Sequence, residues 1–91
     1  MKNNNKMKDK IILKYPVATE KAVRIIETEN KLTFVVDRRA TKKDIAIAFE
    51  KEFKIKPISV NTQIRHNKKI AYIKLKTETP ALDIATKLGL I

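Results

Sequence analysis

The sequence predicts an α+β fold: a four-stranded antiparallel sheet with helices on both faces, in the order β-α-β-α-β-β-α. Three observations carry that prediction. Runs at Ile11–Tyr15, at Leu32–Val36 and twice between Pro57 and Lys76 alternate or concentrate β-branched and aromatic residues, as strands do. Stretches with apolar residues three and four apart separate and follow these runs, each opened by a residue suited to a helix start. Ninety-one residues leave room for one core and one domain.

Met1 to Lys10 holds four lysines against one acid and has too little apolar surface to offset ordering, so a disordered basic tail is expected over 1–10, with the single domain over 11–91. The tail has no apolar run of the kind a secretory signal needs. Ile11-Ile12-Leu13-Lys14-Tyr15 reads as a short strand stopped by Pro16, which donates no ladder hydrogen bond. Thr19 suits an N-cap and Glu20 a first turn, opening a helix to about Thr28 with Ala22, Val23 and Ile26 buried. Asn30 begins the turn out of it.

Leu32, Phe34 and Val36 share one face of the clearest strand. Thr41-Lys42-Lys43-Asp44 is a capping box, and Ile45, Ala48, Phe49 and Phe53 then mark a helical face to Phe53. Next comes a hairpin, with its turn expected over Arg65 to Lys69 and Asn67 at the centre. Ile58, Val60, Thr62 and Ile64 fall on one face with Ala71, Ile73 and Leu75. Ser59, Asn61, Gln63 and Arg65 fall on the other with Ile70, Tyr72, Lys74 and Lys76. Pro80 suits position N1 of a last helix through Ala81, Ile84, Ala85 and Leu88, with Gly89 at C′. Val35, Ile12 and Ile70 put apolar groups on the second face of the sheet, and the last helix is the candidate cover.

Composition narrows the function. A net charge of +11 makes a polyanion the expected partner, nucleic acid first and an anionic membrane surface second. No apolar run approaches a membrane span, and none of the three helices combines a broad lysine face with a broad apolar one. Without cysteine there are no disulfides or thiolate metal sites, and one glycine cannot build a phosphate-cradling loop. The single histidine, His66, sits in a turn between basic residues with no nearby carboxylate in sequence. Neither catalysis nor a metal or cofactor is expected. An acylphosphatase-like hydrolase would need an arginine in a glycine-bearing loop, whereas Arg24 lies within a helical pattern.

The cations cluster in three places: the tail, Arg38 to Lys43, and Arg65 to Lys76. Arg38, Arg39, Lys42, Lys43, Arg65, Lys68, Lys69, Lys74 and Lys76 are the expected phosphate contacts. Thr41, Asn61 and Thr62 can add hydrogen bonds, and Tyr72 is a candidate for base stacking. An RNA-recognition-motif sheet needs several exposed aromatics, so recognition of backbone and shape is the expectation. A free-standing RNA-binding module fits these features.

Tyr15-Pro16-Val17-Ala18-Thr19-Glu20-Lys21-Ala22, Phe34 to Lys42, Val60-Asn61-Thr62 and Lys68 to Leu75 resemble the ribosomal protein L twenty-three family of the large subunit. The resemblance spans about Ile11 to Leu90 and is closest to the archaeal or eukaryotic-cytosolic form, through the Pro80 to Gly89 helix. It implies an α/β/α sandwich bound to large-subunit rRNA near the polypeptide exit, in the cytoplasm and beside neighbouring ribosomal proteins. It also implies a dock for factors that meet the nascent chain, such as the signal recognition particle, with Glu20 and Lys21 matching the docking motif. The hairpin turn here is shorter than the bacterial loop that enters the tunnel, so tunnel sensing is not expected.

Overall fold

The computed structural model describes residues 11–90; the basic tail expected over residues 1–10 lies outside them. The elements follow the expected order: β1 (Leu13–Pro16), α1 (Glu20–Glu29), β2 (Lys31–Val36), α2 (Lys42–Phe53), β3 (Ser59–Arg65), β4 (Lys68–Lys74) and α3 (Ala81–Lys87). The strands make one antiparallel sheet in the order β1-β2-β4-β3. β2 and β4 are therefore internal. Every residue of β2 from Leu32 to Val36 is buried, as an internal strand covered on both faces requires.

Register fixes which side chains share a face. Leu32 pairs with Ile73 and Phe34 with Ala71, while Val60 on β3 pairs with the same Ile73. These residues form the main core with Ile45 and Phe49 of α2. Phe34, Phe49 and Phe53 pack edge-on and tilted, with ring centroids 4.7 to 6.3 Å apart. The Thr41–Asp44 capping box forms as expected: Asp44 N–H donates to Thr41 Oγ1 at 3.1 Å, and Thr41 N–H to Asp44 Oδ2 at 3.0 Å. Thr19 Oγ1 caps α1 by accepting from Ala22 N–H at 3.2 Å.

Local expectations shift at several points. Pro16 is the last residue of β1 instead of its stop; β1 is an edge strand, where a missing N–H costs no ladder bond. The hairpin turn contracts to His66-Asn67, both with positive φ (51° and 65°), so Arg65 and Lys68 are a paired position. Such a two-residue turn matches the twist of the flanking strands, which the longer polar stretch in the sequence conceals. Cover on the second face comes from α1, whose Ala22 and Ile25 meet Thr33, Ile70 and Tyr72 around one groove. The buried residues of α3, Ala81, Ile84 and Ala85, belong instead to the main core, where α3 also packs against α1.

Pro80 occupies the N-cap of α3, not N1, and offers no capping side chain. Asn30 caps α3 from across the fold. Its Oδ1 accepts the Ala81 N–H at 2.7 Å, and its Nδ2 donates to the carbonyls of Leu75 (3.0 Å), Lys76 (2.8 Å) and Thr79 (3.3 Å). Its backbone closes α1 in the left-handed region, φ 54° and ψ 42°, and its carbonyl accepts from Leu75 N–H at 3.1 Å. At the other end of α3, Gly89 (φ 78°) completes a Schellman close: Gly89 N–H bonds Thr86 O and Leu90 N–H bonds Ala85 O.

Asn30→Ala removes these side-chain bonds and puts at positive φ a residue that tolerates it less readily than asparagine does, so a loss of about 3 kcal/mol is expected in urea unfolding followed by circular dichroism. Asn30→Gly keeps the backbone freedom but not the bonds, and should recover only about 1 kcal/mol of that loss. Equal stability of the two variants would show that the left-handed backbone contributes nothing.

Candidate nucleic-acid interface

The expected cationic residues do not form one patch. β2 ends at Val36 beside Lys69 of β4, so the β2–α2 turn and the hairpin tip lie at the same end of the sheet. Arg38, Arg39, Lys42 and Lys43 therefore share that end with Arg65 and Lys68, and all six are exposed. The chain also enters there: Asp37 N–H donates to Ile12 O at 2.9 Å. Lys74 and Lys76 sit at the opposite end. Lys74 pairs with Lys31 and Ser59, roughly 20 Å along the strand from Lys68 at ~3.4 Å per residue.

Individual side chains within the basic end differ in how much they can offer. Arg39 leans on Asp37, with its N–H donating to Asp37 Oδ1 at 2.8 Å and its Nε 3.7 Å from the same oxygen. Lys68 reaches across β2 to donate to Tyr15 Oη at 3.1 Å, with its ammonium 5.8 Å from the Tyr15 ring centroid. Lys69 falls by parity on the core side and donates to Ala40 O at 2.6 Å. Its ammonium ties the hairpin to the β2–α2 turn, and so sits on a backbone carbonyl within the protein. Thr41 is exposed at the start of α2, although its hydroxyl already serves the capping box.

The Asn61-Thr62 pair is split by strand alternation. Asn61 is exposed opposite Tyr72, whereas Thr62 is half-buried on the core side opposite Ala71. Tyr72 is half-buried, and its hydroxyl donates to Gln63 Oε1 at 3.0 Å. Glu20 opens α1 with its side chain 91% exposed and Arg24 at 3.9 Å. Lys21 turns away from it to line the groove between α1 and the sheet.

Sequence reasoning missed that groove. It brings Ala22 and Ile25 of α1 against Thr33, Ile70 and Tyr72. The available signal was Thr33, a polar residue in an otherwise apolar strand. Thr33 is 5% exposed, and its Oγ1 is buried without a hydrogen-bond partner.

Fold and charge define a class: a small basic α/β domain that gathers cations at one end of an antiparallel sheet, beside two helices and a tight hairpin. The family model described as ribosomal protein L23 matches residues 10–84. A relative from Methanothermobacter thermautotrophicus, named large ribosomal subunit protein uL23, is 51% identical over 80 residues, covering 87% of this chain and 92% of the relative. A relative of the same name from Trypanosoma brucei brucei is 47% identical over 81 residues, covering 88% of this chain and 49% of the relative. The chain thus spans about half the length of that second protein. It belongs to the ribosomal protein L23 family, a structural and non-enzymatic one.

An orphaned buried hydroxyl should be a net cost to the free protein. Thr33→Val keeps the shape and removes the orphan, so it is expected to raise unfolding stability by about 1 kcal/mol in the same denaturation assay. A loss of stability would mean that the hydroxyl is paired in solution.

Proposed function

We propose that this chain is a structural constituent of the large ribosomal subunit in the cytoplasm, held by large-subunit rRNA through the basic end of its sheet. The observation that carries this reading is the convergence of Arg38, Arg39, Lys42 and Lys43 with Arg65 and Lys68 at one end of the sheet. Residues far apart in sequence supply it, so it is a product of the fold. The relatives' names, both of large-subunit proteins, support the choice of RNA.

A rigid cationic end suits rRNA because phosphate groups along a folded RNA present fixed spacings. Side chains on short turns anchored by capping and hairpin bonds lose less freedom on binding than those on a floppy loop. Lys42 and Lys43 lie in the first turn of α2, where the helix N-terminus adds its own attraction for a phosphate. Lys74 and Lys76, at the far end, are the weaker candidates for the same RNA segment. Their positions suit a second RNA segment or a neighbouring ribosomal protein.

The family resemblance further supports a place near the polypeptide exit and a docking role in nascent-chain targeting. Glu20 is well presented for that role: it stands in the first turn of α1 with its side chain 91% exposed.

Binding of large-subunit rRNA and of an unrelated RNA of equal length, measured across a salt series, tests the main claim. The rRNA should bind more tightly at every salt concentration. Joint Arg38→Gln, Arg39→Gln, Lys42→Gln and Lys43→Gln replacement should flatten the slope of log K against log salt by about 0.7–0.9 for each phosphate no longer neutralised. Lys74→Gln with Lys76→Gln should flatten it less. Equal affinity for the two RNAs, or recovery of the protein from cells away from sedimenting ribosomes, would favour a non-ribosomal RNA-binding module.

Glu20→Arg tests the docking role. It should lower co-sedimentation of the signal recognition particle with reconstituted ribosomes, while the preference for rRNA over the unrelated RNA persists because every expected phosphate-contacting cation is kept. Unchanged co-sedimentation would remove Glu20 from the docking surface.

A further inference from the structure

The groove between α1 and the sheet, about 490 Å³ in volume, adjoins the phosphate-facing end and differs from it in its apolar lining. Ala22 and Ile25 form one wall and Ile70 part of the floor, with the Tyr72 ring alongside. Lys21, Arg65 and Lys68 line it too, and no carboxylate among the described residues does. The groove is therefore cationic where it meets the hairpin tip and apolar within. Thr33 also lines it; this residue is the direct cross-strand partner of Tyr72, and its Oγ1 is buried without a partner.

We propose that this groove receives one unstacked nucleotide of the bound RNA. The base lies against the Tyr72 ring with Ile25 opposite, and the adjoining phosphates meet Lys21, Arg65 and Lys68. The inference rests on the RNA-binding reading of the basic end and adds to it a pocket for a base.

The chemistry of a nucleotide matches each part of the groove. A base has two apolar π-faces, which a tyrosine ring and aliphatic walls accommodate irrespective of its identity. It also has a polar edge, and a threonine hydroxyl can both donate to and accept from such an edge. In the proposed complex the Thr33 side chain turns about its Cα–Cβ bond to offer that hydroxyl to the base edge. That hydroxyl is already desolvated in the free protein, so pairing it with a base removes an existing penalty. The hydrogen bond from Tyr72 to Gln63 steadies the ring before the base arrives. The volume falls within the roughly 300–1,000 Å³ common for small-ligand sites, enough for one nucleotide. An acidic peptide would satisfy the cations but would not use the flat space beside Tyr72.

Two RNA hairpins that differ only in a single bulged 2-aminopurine test the proposal with the full chain. The bulged hairpin should bind about tenfold tighter, the scale of one base–aromatic stack. Its fluorescence should change on binding, and the methyl resonances of Ile25 and Ile70 should move with it. Thr33→Val, which does not depend on the hydroxyl for folding, and Ile25→Trp, which fills the groove, should both lose the preference for the bulge. Both should still bind the unbulged hairpin as the unmodified chain does. Equal affinity of the unmodified chain for the two hairpins, with the two methyls unmoved, would overturn the proposal. Displacement of the bulged hairpin by a glutamate-rich peptide that shifts the same methyls at lower concentration would overturn it too. Either result would leave rRNA selectivity in the salt series intact, whereas failure of the rRNA reading would appear there first.

Discussion

Asn30 is the junction on which the arrangement of this domain depends. One residue ends α1, precedes β2, holds the segment leaving β4 and caps α3. The left-handed backbone there turns the chain back onto the sheet, and asparagine is among the few residues with a β-carbon that adopt it readily. Its carboxamide then meets the ends of two other elements with both its donor and acceptor groups. Because Pro80 cannot cap α3 with its own side chain, the last helix takes its position from a residue some fifty places earlier. Local helix chemistry and long-range assembly are thus coupled in one side chain.

A comparable economy shapes the basic end. High positive charge repels itself, and the fold limits this by committing some cations to internal duties. Lys69 is bonded to Ala40 O, Arg39 is drawn to Asp37, and Lys68 rests on Tyr15. These bonds stiffen the hairpin tip and the β2–α2 turn relative to each other. Exposed cations such as Arg38 and Lys42 are then presented on a frame whose geometry is set before any phosphate arrives. Abundance of charge accounts for attraction to a polyanion; only that frame can favour one folded RNA over another.

Much of the secondary structure was legible because its signals are local. Thr19 and Thr41 cap their helices through residues three positions away, and Gly89 closes α3 through its own φ. The alternation from Ile58 to Ile64 and from Ala71 to Leu75 set the hairpin register and its two faces. The site was less legible. Lys69 differs from Lys68 only in parity, yet that parity sends one ammonium to a buried carbonyl and the other to the outer face. Asn61 and Thr62 read as a pair in sequence and face opposite sides of the sheet. Asn30 read as a turn residue because the partners of its side chain lie 45 to 51 positions away.

The amino-acid sequence by itself determined the fold class, the order of elements, the chemical preference for a polyanion and, through its motifs, the ribosomal family. The first three follow from composition or from interactions spanning a few residues, and the family from the resemblance of its motifs. Tertiary structure alone decided that β2 lies between β1 and β4, that Arg38 shares an end of the sheet with Arg65 while Lys74 lies at the other, and that α1 leaves a groove over Thr33. Each of those depends on which strand edges pair and where a helix docks. Such choices are settled by the combined burial of side chains from the whole chain, which no local pattern records.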